Sequence, residues 1–327
     1  MAFHSAARRN VILSACALLS TSILPAHAQD TSRPLEWVVG YAPGGGSDTV
    51  ARSVADSMAK VLKRTIVIVN KPGAATNIAA EYVARTRDTG NVMLTADFAT
   101  LAANPFLFSK LGYDAEKDLA PVGMIARFPL MLVVGNQVPA KNWSEFLVWA
   151  KGQEGGASYA SAGVGSPHHL ATELLREKTG LKLTHVAYRG AALAMQDVIG
   201  GTAPFMMIDT AVGNQFVLSG KVRAIGVASA KRLPTLPNVP TLAEQGVADY
   251  EVYAWQGLSV PASTPPAAVA TLNSALFEAL NSTPVKARFQ ALGVEAMPGS
   301  AAEMARYVKA ERQRWGKLIK DNNIRLD

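Results

Sequence analysis

The sequence predicts an α/β fold of two lobes, and three observations predict it. Short apolar runs alternate with amphipathic segments, glycine-rich turns repeatedly join the first to the second, and two long extended stretches interrupt the alternation. Alternation of this kind calls for parallel sheets covered by helices on both faces. The two extended stretches are the expected crossings between lobes.

The 327-residue chain opens with Arg8 and Arg9, an apolar stretch from Val11 to Leu24, and Ala26-His27-Ala28 before Gln29. That order is the grammar of a cleaved export signal, residues 1–28, with cleavage after Ala28 and a periplasmic destination. The apolar stretch is broken by Ser14, Ser20, Thr21 and Ser22 and ends in Pro25, which argues against a membrane anchor. Cys16, the only cysteine, sits in a lipoprotein-like Leu13-Ser14-Ala15-Cys16, but too few apolar residues precede it for that use. The arginine pair leaves both Sec and twin-arginine export open. Removing the leader lowers the formal charge from +7 to +5 and leaves a chain without cysteine, so disulfides, thiolate nucleophiles and cysteine-bound metals are excluded. His168, His169 and His185 are then the only histidines. Enough chain remains for two domains of roughly 150 residues each.

The first apolar run, Trp37, Val38 and Val39, leads into Tyr41-Ala42-Pro43-Gly44-Gly45-Gly46-Ser47-Asp48. After it, Val50, Val54, Met58, Val61 and Leu62 recur on one helical face, with Ser47 or Asp48 expected to cap that helix. Three glycines let backbone amides face a ligand, and a helix N-terminus adds partial positive charge, so the loop reads as a cradle for a carboxylate or phosphate. A tight turn without a ligand is the plain alternative. Nucleotide motifs fail on residue identity: no lysine follows before Lys60, and Thr49 stands where a dinucleotide fingerprint needs its third glycine.

Further strands are expected at 65–69, 92–96, 130–134, 158–161, 183–187, 204–208 and 223–228, with helices between most of them. Three more strand-to-helix turns share the composition of the first: Asn70 to Asn77, Ser161 to His169, and Tyr188-Arg189-Gly190-Ala191. Such turns are commonly structural taken singly; four in one chain, all rich in donors, point to a ligand. The extended stretches are 121–134 and 250–260, the latter running into Pro261-Ala262-Ser263-Thr264-Pro265-Pro266. If both cross between lobes, lobe one is 29–127 plus 254–327 and lobe two is 128–253. The cleft between them would collect strand ends and helix N-termini, with the glycine loop at its rim.

Several motifs in fixed order identify a family resemblance. YAPGGGSD at 41–48, NKPGAATNIAAEYVA at 70–84, KDLAPVGMI at 117–125, SAGVGSPHHLATELL at 161–175, HVAYRGAALAMQDVIGG at 185–201, and the later LPTLPNVPTLAEQG and WQGLSVPASTPP resemble the Bug receptors. These are the extracytoplasmic solute-binding proteins of tripartite tricarboxylate transporters, also called the TctC family. The resemblance implies a two-lobed, type II Venus-flytrap periplasmic binding protein with two crossing hinge segments. It implies a monomer that binds a small carboxylate and delivers it to membrane permease subunits, without cofactor, metal or enzymatic activity. In the first lobe it points to Tyr41, Gly44, Gly45, Gly46, Ser47, Thr76 and Asn77; in the second, to Ser161, Gly163, Ser166, His168, Tyr188 and Asp209. Ala74-Ala75-Thr76 stand where the family usually carries more glycine.

The chemistry agrees. Charge-assisted hydrogen bonds contribute roughly 1.5–3 kcal/mol each, so three or four donors support micromolar binding. Arg189 is the one basic candidate for a carboxylate, with a solvated surface role as its alternative. Ser166 beside His168 or His169 lacks the G-x-S-x-G elbow of a hydrolase, and His169 with Glu173 offers only two ligands to a metal. Asp209, at a strand end, is expected either to cap a helix or to accept a ligand hydroxyl. The segment 301–320 reads as an amphipathic helix with basic flanks and a solvated face rather than a nucleic-acid binder. A ligand-sensing subunit for a signalling receptor, or less favourably a periplasmic hydrolase, would share much of this sequence.

Overall fold

Five apolar-rich residues, Leu35–Val39, form β1 in the computed structural model of the protein, which describes residues 33–326. The export leader, its cleavage after Ala28 and Cys16 lie outside the described residues. After β1 come α1 (Gly46–Leu62), β2 (Ile66–Asn70), α2 (Asn77–Arg85), β3 (Val92–Asp97), α3 (Asn104–Leu107) and a long β4 (Leu119–Gly135). The chain continues through α4 (Trp143–Lys151), β5 (Ala157–Ser161), α5 (Pro167–Thr179), β6 (Leu183–Ala187), α6 (Ala191–Gly200), β7 (Phe205–Asp209), α7 (Thr210–Leu218) and β8 (Val222–Val227). It returns by β9 (Tyr253–Pro261) to α8 (Pro266–Asn281), α9 (Thr283–Leu292), β10 (Glu295–Ala296) and α10 (Ala301–Asp321).

The strands lie in the order β2-β1-β3-β9-β4-β7-β5-β6, with β8 and β10 also pairing to β4. β1, β2 and β3 run parallel, as do β5, β6 and β7. β9 and β4, the two extended stretches of the sequence, instead pair antiparallel with each other and with β3 and β7 respectively. The sheet is therefore mixed, not parallel throughout as the alternation of elements suggests. The reason is that β4 and β9 are distant in sequence and carry no short hairpin turn between them, so their direction is fixed only when they meet.

β4 changes partners along its length. Leu119 to Pro129 pair with β9, and Leu130 to Gly135 pair with β7 and β8. One half-sheet thus holds β2, β1, β3 and β9, the other β7, β5 and β6, and β4 belongs to both. A hydrophobic cluster containing Leu94, Leu130, Phe205, Trp255 and Trp315 runs through both halves. Separate clusters fill the remainder: Trp37, Val54, Met58 and Leu276 in the first half, Met131, Met195, Met206 and Ile208 in the second.

Helices end and begin as their residues dictate. α10 carries a capping box, Ser300 with Glu303, and buries Met304, Trp315, Leu318 and Ile319 on one face. Arg306, Lys309, Arg314, Lys317 and Lys320 are exposed, whereas Arg312 turns inward and donates to Leu101 O at 3.1 Å. α1 starts one residue before the Ser47 expected as a possible cap: its N-cap is Gly45, and no side chain caps it. Ser47 is drawn away to a β9 side chain, and Asp48 reaches back to accept from the Gly44 amide at 2.9 Å. No helix among the described residues is long and apolar enough to cross a membrane.

Candidate functional site

Parallel strands deliver their C-terminal ends to one edge, and each half-sheet does so here. In the first half, β1 ends at the glycine loop, β2 at Asn70, and β3 at Asp97. In the second, β5 ends at Ser161, β6 just before Tyr188, and β7 at Asp209. The two sets of ends face each other. A β-carbon added at Gly46 would lie 3.3 Å from Ala211 Cβ and 3.9 Å from Asp209 Oδ1, and one at Gly165 would lie 2.2 Å from Leu107 Cδ1. At Gly165 a side chain requires Leu107 to move, and at Gly46 it is accommodated only if Ala211 gives by a few tenths of an ångström.

In the first half, Tyr41 donates its phenol to Asp97 Oδ2, while Thr100 N–H donates to Asp97 Oδ1 at 2.9 Å. Burial pushes the Asp97 carboxyl above its ordinary range against these hydrogen bonds, and burial, then Asp97, then Asp209 push the Tyr41 phenol well up. Asp97 is the acid in contact with Tyr41. Ser47 Oγ donates to Gln256 Oε1 at 2.5 Å. Gln256 is 1% exposed, and its Nε2 has no partner.

Thr76 and Asn77 are more inward than the sequence suggests. Thr76 Oγ1 meets Thr100 Oγ1 at 2.8 Å, and Asn77 Oδ1 accepts from Asn104 Nδ2 at 2.6 Å and from the Tyr113 phenol at 3.2 Å. They shape the turn from within. Ala74, Ala75 and Thr76 carry φ of 46°, 50° and 75°, three successive non-glycine residues in left-handed backbone. Each such residue costs about 1–2 kcal/mol, whereas glycine adds about 0.4–1 kcal/mol of unfolded-state entropy. Ala75→Gly is accordingly expected to stabilise the protein by about 0.5–1 kcal/mol, read as a raised urea midpoint. A lowered midpoint would remove strain from this turn.

In the second half, Ser166 caps α5 by accepting from His169 N and donates its hydroxyl to Gly163 O at 2.7 Å. It bonds neither histidine ring, which leaves no activated serine. Ser161, fully buried, contacts His185 Nε2 at 2.6 Å and also receives the Gly163 amide at 3.0 Å. Tyr188 turns to Asp197, its phenol donating at 2.7 Å, and Arg189 is exposed. Asp209 caps α7 through Val212 N at 3.1 Å, and its other oxygen lies 3.1 Å from His168 Nε2. His168 is 6% exposed and its Nδ1 has no partner. Glu173 accepts from Tyr159 and Arg176, so it does not pair with His169. Among the described residues no cluster of three or more His, Cys, Asp or Glu could hold a metal ion.

The five helices that start at this edge divide into two kinds. α5 and α7 are capped by their own Ser166 and Asp209, whereas α1, α2 and α6 begin at Gly45, Thr76 and Gly190 with no side-chain cap. First-turn amides of an uncapped helix lack intrahelical acceptors and suit an anion. One open surface groove of about 460 Å³ runs from Pro43 and Gly44 of the glycine loop along α1 to Arg52 and Arg288, and another of about 510 Å³ lies by Arg176 and Leu183. Neither separates the facing strand ends.

Asp97 and Thr100 are polar residues of this edge outside the motifs, and Gln256, inside WQGLSVPASTPP, carries no expected ligand role there. Asp97 closes an apolar run just as Asp209 does, a readable signal; Gln256 is a single polar residue inside a buried strand and becomes visible only through pairing.

Behind Ser161, His169 stacks on His185 with ring centroids 3.9 Å apart, and Tyr159 stacks on the pair. Burial, then the neighbouring His185, depress His169 to about 3, and burial lowers His185. A histidine held neutral when folded stabilises above its unfolded pKa near 6.5 and loses that contribution as pH falls toward 3. Over that window the unfolded chain binds up to one more proton per histidine, a slope of about 1.4 kcal/mol per pH unit. His169→Gln should flatten the dependence of unfolding free energy between pH 6 and 4; an unchanged slope would show that His169 is protonated in the fold.

The family described as tripartite tricarboxylate transporter family receptor, TctC, matches residues 50–324. A UPF0065 protein from the tcbD-tcbE intergenic region of Pseudomonas sp. (strain P51) is 33% identical over 315 residues, covering 95% of this chain and 94% of its own. An R. palustris protein solved with adipate superposes with a TM-score of 0.83 at 32% identity, covering 88% of this chain and 97% of its own. MatC from Rhodopseudomonas palustris with bound malate gives 0.79 at 33% identity, covering 88% and 99%. The α/β architecture is that of these periplasmic binding proteins, and the related proteins are binding proteins rather than enzymes.

Proposed function

We propose, from the premise that this chain belongs to the tripartite tricarboxylate transporter receptor family, that it captures a small carboxylate between its facing strand ends and delivers it to membrane permease subunits. The lobes are residues 29–127 with 254–327, and 128–253. That division is supported by the change of partners along β4 between Pro129 and Leu130. β4 and β9 are the crossings about which the lobes turn.

One observation carries the reading: uncapped helix starts and the Gly44 to Ser47 loop face a second set of strand ends at close quarters, with Gly46 against Ala211 and Asp209. Tyr41, Gly44, Gly45, Gly46 and Ser47 bear on the ligand from the first lobe, with Thr76 and Asn77 setting the shape of the adjoining turn. Ser161, Gly163, Ser166, His168, Tyr188 and Asp209 form the opposite jaw. Neutral amides suit a receptor that must release its cargo, since a buried ion pair requires both ions to shed water. Export by the leader, with cleavage after Ala28, places the protein in the periplasm, where its relatives work. The adipate and malate bound by two of those relatives are the natural first probes.

A thermal-shift panel of mono-, di- and tricarboxylates tests the proposal. A ligand present at 100 times its dissociation constant should stabilise by about 2.7 kcal/mol. A panel in which no carboxylate of any kind raises the melting temperature would overturn it.

A further inference from the structure

The turn from Ser161 to Ser166, between β5 and α5, is held from behind by two histidines. Gly163 and Gly165 carry φ of 129° and 75°, which turns their amides away from the strand and the helix on either side, and side chains take them up. The Gly163 amide donates to Ser161 Oγ at 3.0 Å, and that oxygen lies 2.6 Å from His185 Nε2. The Gly165 amide donates to His169 Nδ1 at 3.0 Å. Because the two rings stack with centroids 3.9 Å apart, both glycines rest on one backing.

His169 is the third residue of α5, and its own amide donates to the N-cap, Ser166, at 3.3 Å. In a capping box the side chain at this position, usually Glu or Gln, reaches back to the N-cap amide. Here it reaches one residue further, to Gly165. A glutamate would bring charge to a site that is 5% exposed, whereas a neutral imidazole supplies the acceptor without it. A main-chain amide only donates, so Nδ1 carries no proton and the ring proton sits on Nε2. The same turn meets the first half-sheet, since a β-carbon at Gly165 would lie 2.2 Å from Cδ1 of Leu107, the last residue of α3. Where the histidines hold Gly165 therefore sets how closely Leu107 approaches.

We propose that His169 and His185 are positioning residues for cargo capture, which fix the Ser161 to Ser166 turn in the shape that meets the ligand and Leu107. They act through the turn and touch no ligand. This rests on the receptor reading above and adds to it the residues that keep one jaw in shape.

Paired substitutions separate the acceptor from the ring. His169→Asn and His169→Leu both lose the stack on His185, but only asparagine keeps an oxygen near the place of Nδ1. Amide hydrogen exchange at Gly165, followed by NMR without ligand, is expected to be at least about tenfold faster in the leucine variant than in the asparagine variant. The acid that shifts melting most in the panel above, with malate and adipate tried first, should bind His169→Leu about tenfold more weakly than native. His169→Asn should stay within about threefold of native. His185→Leu against His185→Gln makes the same comparison, with exchange read at Gly163. A role confined to packing would lower both members of a pair alike. Equal exchange and equal affinity within a pair removes that histidine from the role, and in both pairs overturns the inference; faster exchange without loss of affinity overturns it too. Long-range ¹H–¹⁵N spectra of the native protein should show His169 protonated at Nε2 alone, and a proton on Nδ1 overturns the inference even where a variant does not fold. Failure of every acid in the panel overturns the receptor reading instead, and the two failures are told apart because exchange and tautomer are read without ligand.

Discussion

Gly46→Val is expected to weaken ligand binding by about 100-fold while leaving the melting temperature of the unliganded protein within about 2 °C of native. Gly46 is the first residue of α1 and does not sit in left-handed backbone, so valine fits the chain at that point. The obstruction lies across the gap. A single added β-carbon already stands 3.3 Å from Ala211 Cβ, and the two methyl groups of valine must occupy space held by Ala211 and Asp209. In the proposed mechanism that clash exists only when the lobes are shut. A closed form disfavoured by about 3 kcal/mol reduces apparent affinity by about two powers of ten, because the binding-competent fraction falls in proportion. Gly46→Ala should lose much less, and adding Ala211→Gly to it should recover most of the loss. Native affinity in the valine variant would show that the ligand is bound without these strand ends meeting.

Glu311→Ala should lower stability by about 2–4 kcal/mol, because one carboxylate oxygen serves two buried indoles. Glu311 Oε2 accepts from Trp255 Nε1 at 2.8 Å and from Trp315 Nε1 at 2.9 Å, and both tryptophans are at most 2% exposed. Removing the acceptor strands two donors away from water. Phe98 stands edge-on to both rings, with centroids at 6.1 and 5.3 Å, so the loss also loosens the aromatic cluster behind Asp97 and Gln256. For a chain of this size a melting temperature lower by about 4–10 °C is expected. Glu311→Gln, which keeps an oxygen in place, should lose less than half as much. Trp255 lies on the β9 crossing, so its fluorescence offers a second readout. Unchanged melting in the alanine variant would mean that the indoles find other acceptors.

Much of the candidate site was legible because chemistry and spacing coincide in a short window. Tyr41 to Asp48 announces a strand, a glycine bend and a helix start within eight residues, and the structure places β1 and α1 around it. Asp209 could be read as a cap because an acid follows an apolar strand. The details of capping were less legible. Ser47 has the right chemistry to cap α1, but Gln256, 209 residues away, competes for its hydroxyl and wins. Thr76 and Asn77 likewise look open in sequence, but in the fold the Thr76 hydroxyl meets Thr100 and Asn77 Oδ1 accepts from Asn104 and Tyr113.

The sequence by itself determined the elements, their alternation, the donor-rich turns and, through motifs in fixed order, the family. All of these depend on residues within a few positions of one another, where helical period, strand alternation and turn chemistry act directly. Tertiary structure alone decided that β4 and β9 run antiparallel, that Asp97 lies opposite Gln256, and that Gln256 keeps an unpaired amide. Those facts are set by strand register and burial between segments more than a hundred residues apart. No local pattern encodes such a pairing, because its energy exists only once both partners have left water together.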